Sequence, residues 1–169
     1  MAKPLWAPWR LEYIEASDER RCVLCDPDEQ FVVHRGEHAF VLMNRFPYTA
    51  GHVMVAPIRH EGSFGGLSDE EALEIHRLAA TAVATLEAEY GPQGLNLGWN
   101  LGRAAGAGIV DHLHQHIVPR WVGDTNFMAV LGDVRVIPEA LAASAERLRA
   151  RWPPVNRPLS DQGPDRSGP

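Results

Sequence analysis

The segment "DHLHQHIVPRW", residues 111–121, holds His112, His114 and His116 at alternate positions, three of the eight histidines in a chain of 169 residues. Side chains along a strand alternate faces with a period of two, so an extended segment here projects all three imidazoles from one side. Imidazoles grouped this way offer acid, base, nucleophile and metal-ligand capacity near neutral pH. A three-histidine zinc site is the competing chemistry, although adjacent same-face residues on one strand are spaced awkwardly for closing three ligands around one ion. The bland alternative is an incidental solvent-facing row. The run "NLGRAAGAGIVDH" directly upstream weighs against it. Small residues let backbone N–H groups approach an anion closely, whereas a plain flexible connection would have no such purpose. A second cluster is Cys22 and Cys25 in "RCVLCD". One Cys-x2-Cys supplies half of a four-ligand zinc site. A redox pair is the functional competitor, but it opens a helix after a strand, and "RCVLCDPDE" has neither. Two buried thiols are the plain alternative.

The elements that must position these groups are legible from pattern. "QFVVHR" and "HAFVLMN" read as two strands forming a hairpin around Gly36, and "GHVMVAP" as a third strand bounded by Gly51 and Pro57. "LSDEEALEIHRLAATAVATLEAEYG" is the clearest helix: Ser68 and Glu71 make a capping box and Gly91 stops it. Ala72, Ile75, Ala79, Ala82, Val83 and Leu86 recur at helical spacing and are expected in the core. "GLNLGWNLG" and "LHQHIVPR" read as strands four and five, and a second helix is expected from Pro138 to about Arg151. The pattern predicts an α+β fold with a mainly antiparallel five-stranded sheet, one long helix and a C-terminal helix. One domain is expected over residues 1–152. Its first 21 residues, with Trp6, Trp9 and Tyr13, are too aromatic for a solvated tail and should pack on the body or a partner. The Pro-rich residues 153–169 are expected to be disordered.

Bulk properties narrow the function. A hydrophobic fraction of 45% and a charged fraction of 22% suit a globular protein. The formal charge of −6 argues against a nucleic-acid or acidic-membrane surface, which needs clustered Lys and Arg, but leaves room for a small phosphate-bearing ligand. No apolar run approaches the roughly 20 residues of a spanning helix, and "MAKPLWAPWRLEY" has no uninterrupted apolar core of a secretory signal. A cytoplasmic location is expected.

The triad with its surroundings resembles the histidine triad (HIT) superfamily, whose signature is His-φ-His-φ-His-φ-φ with φ apolar. Here it reads His112-Leu113-His114-Gln115-His116-Ile117-Val118, with Gln115 departing from the apolar rule. The likeness extends through "FVLMNRFPYTAGHVMVAPIRH", and "LWAPWR" and "VPRWVGDTNF" resemble the bacterial branch related to diadenosine polyphosphate hydrolases and phosphorylases. The resemblance implies nucleotidyl transfer: His114 attacks the α-phosphate, His116 donates to the phosphoryl oxygens or the leaving group, and water or phosphate resolves the intermediate. It implies that Asn44 holds the ribose, through a donor and an acceptor on one side chain. It places Asn100, Gly106, Ala107 and Gly108 around the phosphates, together with His112 and His116. Relatives often carry Ser or Gln near positions 107 and 108, where this chain has Ala107 and Gly108. Zinc-bearing members map a structural site onto Cys22, Cys25, His60 and His112, and the family implies a homodimer. Phosphoramidate hydrolysis, the sister activity, and nucleotide binding without turnover are the alternatives. If the zinc expectation holds, purified protein carries close to one zinc per chain. Metal analysis finding less than about half an equivalent under non-chelating conditions would contradict it.

Overall fold

The computed structural model describes residues 22–124 and 139–154. The aromatic N-terminal segment, Pro138 and residues 155–169 lie outside the described residues. The elements run β1 (Val32–Arg35), β2 (Ala39–Met43), β3 (Val53–Pro57), α1 (Asp69–Tyr90), β4 (Gly94–Trp99), β5 (Gln115–Arg120) and α2 (Leu141–Arg151). The strands form one sheet in the order β1-β2-β3-β5-β4, every neighbouring pair antiparallel. The expected α+β architecture is present. No helix among the described residues is long and apolar enough to cross a membrane.

β2 and β3 are buried at every position, which is why both read as uninterrupted apolar runs in the sequence. One sheet face packs Val41, Val55 and Ile117 against Ile75 and Leu86 of α1 and Leu148 of α2. The other face carries a smaller cluster of Leu24, Val32, Phe40, Leu42, Met54 and Ala56. No helix covers this second cluster among the described residues, and it is here that the sheet opens into a cleft.

α1 starts as its sequence predicts. Ser68 Oγ accepts from the Glu71 amide at 3.2 Å and the Glu71 carboxylate accepts from the Ser68 amide at 2.8 Å. Gly91 closes the helix in the left-handed conformation, with φ of 55°. Ile75, Ala79, Ala82 and Leu86 are buried as expected and Val83 packs at the margin, but Ala72 is exposed and Leu78 takes its place in the core. The difference originates in the first turn. Glu71 is itself buried, because its carboxylate also receives the Arg59 guanidinium through two bonds of 2.9 and 2.8 Å, and this turns Ala72 outward. Arg59 also reaches Glu61 and the Gly66 carbonyl, so one guanidinium pins the exit of β3 to the start of α1.

Two further locks tie β1 and the β1–β2 turn to the helices. Arg149 of α2 donates to the carbonyls of Gln30 at 2.5 Å and Val32 at 2.7 Å, and Trp152 stacks on His34 with ring centres 5.0 Å apart. The Glu74 carboxylate accepts from the backbone amides of Glu37, His38 and Ala39, holding the β1–β2 turn to α1. Charge-assisted bonds of this kind leave several donors unmet when the acceptor is removed. Glu74→Ala should therefore destabilise the fold by about 2 kcal/mol in a denaturant titration, and a loss below about 0.5 kcal/mol would contradict that assignment.

Candidate active site and metal centre

The strand bearing the triad is shorter than its alternation suggests. β5 begins at Gln115, so of the three histidines only His116 lies in the strand. The last β3–β5 pair is Val55 with Gln115; continuing that register would set Leu113 opposite Pro57. Proline has no N–H for the ladder. The Leu113 amide turns away and donates to the Glu61 carbonyl at 2.7 Å. With the ladder ended, the expected single face of three imidazoles divides. His114 and His116 meet edge to face at 5.0 Å, while His112 meets His60 edge to face at 5.2 Å.

His114 lines the cleft and is 6% exposed. Its Nδ1 lies 2.9 Å from the His112 carbonyl. A carbonyl only accepts, so Nδ1 carries the proton and Nε2 is left with its lone pair. Burial pushes this imidazole below its ordinary 6.5, partly offset by the bond to His112. His114 is therefore neutral at pH 7.

His116 takes the opposite tautomer through His52, a residue at the start of the "GHVMVAP" segment that its position in the sequence does not mark as functional. His52 is fully buried, and its Nδ1 accepts from the Tyr48 amide at 3.1 Å. In a neutral ring the proton then sits on Nε2, which lies 3.0 Å from His116 Nδ1. His116 Nδ1 is thus the acceptor and its Nε2 the donor. Asn100 Nδ2, which also reaches the Gly106 carbonyl at 3.5 Å, lies 3.4 Å from that same Nε2. Two donors cannot bond each other. They converge on a position suited to an anion. The signal for His52 was available: β3 alternation puts it on the face of Met54, which pairs with His116.

Around this pair the other expected residues are distributed unevenly. Asn44 lines the cleft, and its Oδ1 accepts from the Phe46 amide at 2.9 Å, so it caps a turn and faces the cleft at once. Gly106 and Gly108 also line the cleft, but Ala107 is buried beneath it and its amide is used by the Gly102 carbonyl at 3.2 Å. That compact loop needs positive φ at Gly102 (83°) and Gly106 (92°), a conformation unfavourable for residues with a Cβ. Asn100 stands behind, against His116. The cleft lining also includes the apolar Phe31, Leu42, Met54 and Ile109 and the carboxyl-bearing Asp26 and Asp28, and Arg45 lies 5.9 Å over the Phe31 ring.

His112 does not line the cleft. It is fully buried, and its Nε2 donates to the Pro57 carbonyl at 2.8 Å. Its Nδ1 is consequently unprotonated, and it points at Cys22 Sγ (3.3 Å) and Cys25 Sγ (3.5 Å). Cys25 Sγ lies 3.2 Å from His60 Nδ1, and the four donor atoms all fall within 4.8 Å of one another. These four residues are able to hold a metal ion. The set of two sulfurs and two imidazole nitrogens is that of a closed tetrahedral zinc site, and the Pro57 carbonyl supplies the outer acceptor that orients a ligating histidine.

Comparison with known proteins agrees with this geometry. The HIT domain model matches residues 27–122. The AP-4-A phosphorylase of Mycobacterium tuberculosis is 33% identical over 166 residues, spanning 88% of this chain and 83% of its own. A zinc-bound histidine triad family protein from Mycobacterium smegmatis superposes with a TM-score of 0.63 at 25% identity, covering 78% of this chain and 92% of that one. The NitFhit protein of Caenorhabditis elegans gives 0.59 at 29% identity, over 72% of this chain and 27% of its own. The chain belongs to the histidine triad, or HIT-domain, family.

The burial of His114 has a measurable sign. Its folded value is depressed, so its contribution to stability is complete above the ordinary 6.5 and is lost as pH falls from there through the lowered folded value. An NMR titration of the imidazole should give a midpoint below 6.5, and a midpoint above it would contradict the buried, carbonyl-bonded geometry.

Proposed function

We propose that this protein cleaves dinucleoside polyphosphates, diadenosine tetraphosphate above all, by nucleotidyl transfer through His114. The observation that carries the reading is the pair of opposed tautomers: His114 with Nε2 bare and Nδ1 held, beside His116 with Nε2 protonated. One ring is set to form a bond to phosphorus and its neighbour is set to give a proton.

In this reading the adenosine lies against the apolar side chains of the cleft, Phe31, Leu42, Met54 and Ile109, with Asn44 on the ribose. The α-phosphate lies between His114 and the donors of His116 and Asn100, with Gly106 and Gly108 alongside. His114 Nε2 bonds to the α-phosphorus as the bond to the bridging oxygen breaks, and ATP departs with negative charge met by the His116 N–H. The positive charge on the His114 ring is shared through Nδ1–H with the His112 carbonyl. A second acceptor then displaces the imidazole from the adenylyl group. Inorganic phosphate yields ADP and water yields AMP. The likeness to the M. tuberculosis phosphorylase supports phosphate as the acceptor.

Zinc on Cys22, Cys25, His60 and His112 belongs to the same reading. It is structural, since four protein ligands leave no position for substrate, and when bound it cross-links the N-terminal turn to the lead-in of β5. The zinc-bound M. smegmatis neighbour supports it. The reading also includes a homodimer through the β4 edge, where Leu97 and Leu101 are 48% and 51% exposed. Light scattering at twice the chain mass supports that arrangement, and the mass of one chain at micromolar concentration excludes it.

Two measurements test the chemistry. His114→Ala should lower turnover of diadenosine tetraphosphate by more than about a thousandfold and His116→Ala by about a hundredfold or more, and near-wild-type rates in the first would remove the mechanism. With inorganic phosphate present the products should be ADP and ATP in equal amounts. AMP and ATP alone would establish hydrolysis instead.

A further inference from the structure

We propose that the metal centre governs how tightly the cleft holds its nucleotide, because the turn that carries two of the metal donors also forms one wall of the cleft. The inference rests on the reading that the cleft takes a nucleoside monophosphate unit. Val23 and Leu24, the two residues between Cys22 and Cys25, both line the cleft. Leu24 is buried against Phe40, Leu42, Met54 and Ala56, while Val23 is 41% exposed on the cleft side.

Among the described residues, the attachments of this turn are few. Its own bond, from the Cys25 amide to the Cys22 carbonyl at 3.0 Å, is internal. Among the described residues, residues 22–25 are tied to the rest of the fold by the burial of Leu24, by Cys22 packing at the margin of the same cluster, and by thiol–imidazole contacts of 3.2 to 3.5 Å. A thiol is a weak hydrogen-bond partner. A metal ion held by Cys22, Cys25, His60 and His112 would replace those contacts with coordinate bonds, joining the turn to His60 after β3 and to His112 before β5.

The nucleophile is fixed by a separate set of bonds. His112 is held through Nε2 by Pro57, its carbonyl holds His114, and His52 holds His116. None of these bonds uses a metal donor atom. Loss of the metal therefore loosens the Val23–Leu24 wall and leaves the two reactive imidazoles in place. A loosened wall must be ordered again when nucleotide binds, which weakens affinity without altering the bond-making geometry. Coupling between two binding sites is reciprocal, so bound nucleotide must tighten the metal by the same factor.

The experiment uses the zinc-loaded full chain and AMP as probe. A chromophoric chelator competes for zinc with and without saturating AMP, and calorimetry measures AMP affinity before and after zinc is stripped. AMP should tighten zinc about tenfold and stripping should weaken AMP by the same factor; agreement within about twofold between the paired values overturns the coupling. Val23→Ala, loaded with zinc, should keep its full metal content and bind AMP more weakly, and unchanged AMP affinity in that variant also overturns it. In the stripped protein the His114 Nδ1 proton should remain visible by NMR, and its loss overturns the separation of affinity from chemistry. Failure of the loaded wild-type chain to bind AMP at all is a different result. It removes the nucleotide reading itself, and the coupling with it.

Discussion

The hydrogen bond from His112 Nε2 to the Pro57 carbonyl, 2.8 Å long and wholly buried, is the constraint on which the functional end of the molecule turns. It exists because Pro57 has a carbonyl to offer and no amide, so β3 and β5 separate at that level and admit an imidazole between them. The bond fixes which nitrogen of His112 carries the proton, and so presents the other to the cysteines. It also fixes the peptide that follows, whose carbonyl sets the tautomer of His114. One residue thus serves two clusters by different parts: the ring for Cys22 and Cys25 and the main chain for His114.

The second organising feature is the placement of imidazoles in a setting that keeps them neutral. His112 and His114 are both lowered by burial, each partly offset by a bond to a backbone carbonyl. Neutral rings pass directional information that charged ones would not. The Tyr48 amide specifies the proton on His52, and His52 specifies the proton on His116, so a main-chain amide in the turn ahead of β3 determines what faces the cleft. Electrostatic preorganisation here is a matter of fixed dipoles more than of cations.

What could be read from the sequence follows from how local each signal is. The capping box at Ser68 and the stop at Gly91 depend on residues within one turn, and both are present as expected. The apolar runs of β2 and β3 were equally plain, since burial on both faces leaves no ambiguity of phase. Ala72 was misplaced because the phase of α1 at its first turn is set by Arg59, twelve residues before Glu71. The start of β5 was placed too early because its limit lies in Pro57, a partner that strand alternation does not reveal. The grouping of Cys22 and Cys25 with His60 and His112 came from family likeness, as no spacing rule joins residues so far apart. Alternation puts His52 on the face of Met54, but its action on His116 depends on the pairing of Met54 with His116 across β3 and β5, which the sequence pattern does not give.

The grip of Arg149 on the carbonyls of Gln30 and Val32 spans 119 and 117 positions of chain. Those carbonyls belong to the segment that includes Phe31, a wall of the cleft. Contacts of such separation carry a large loop-closure entropy and form late relative to neighbouring turns and helices. During synthesis the sheet, α1 and the triad are all made before α2 emerges. The wall of the cleft at Phe31 therefore gains this fastening only after residue 149 has been added to the chain.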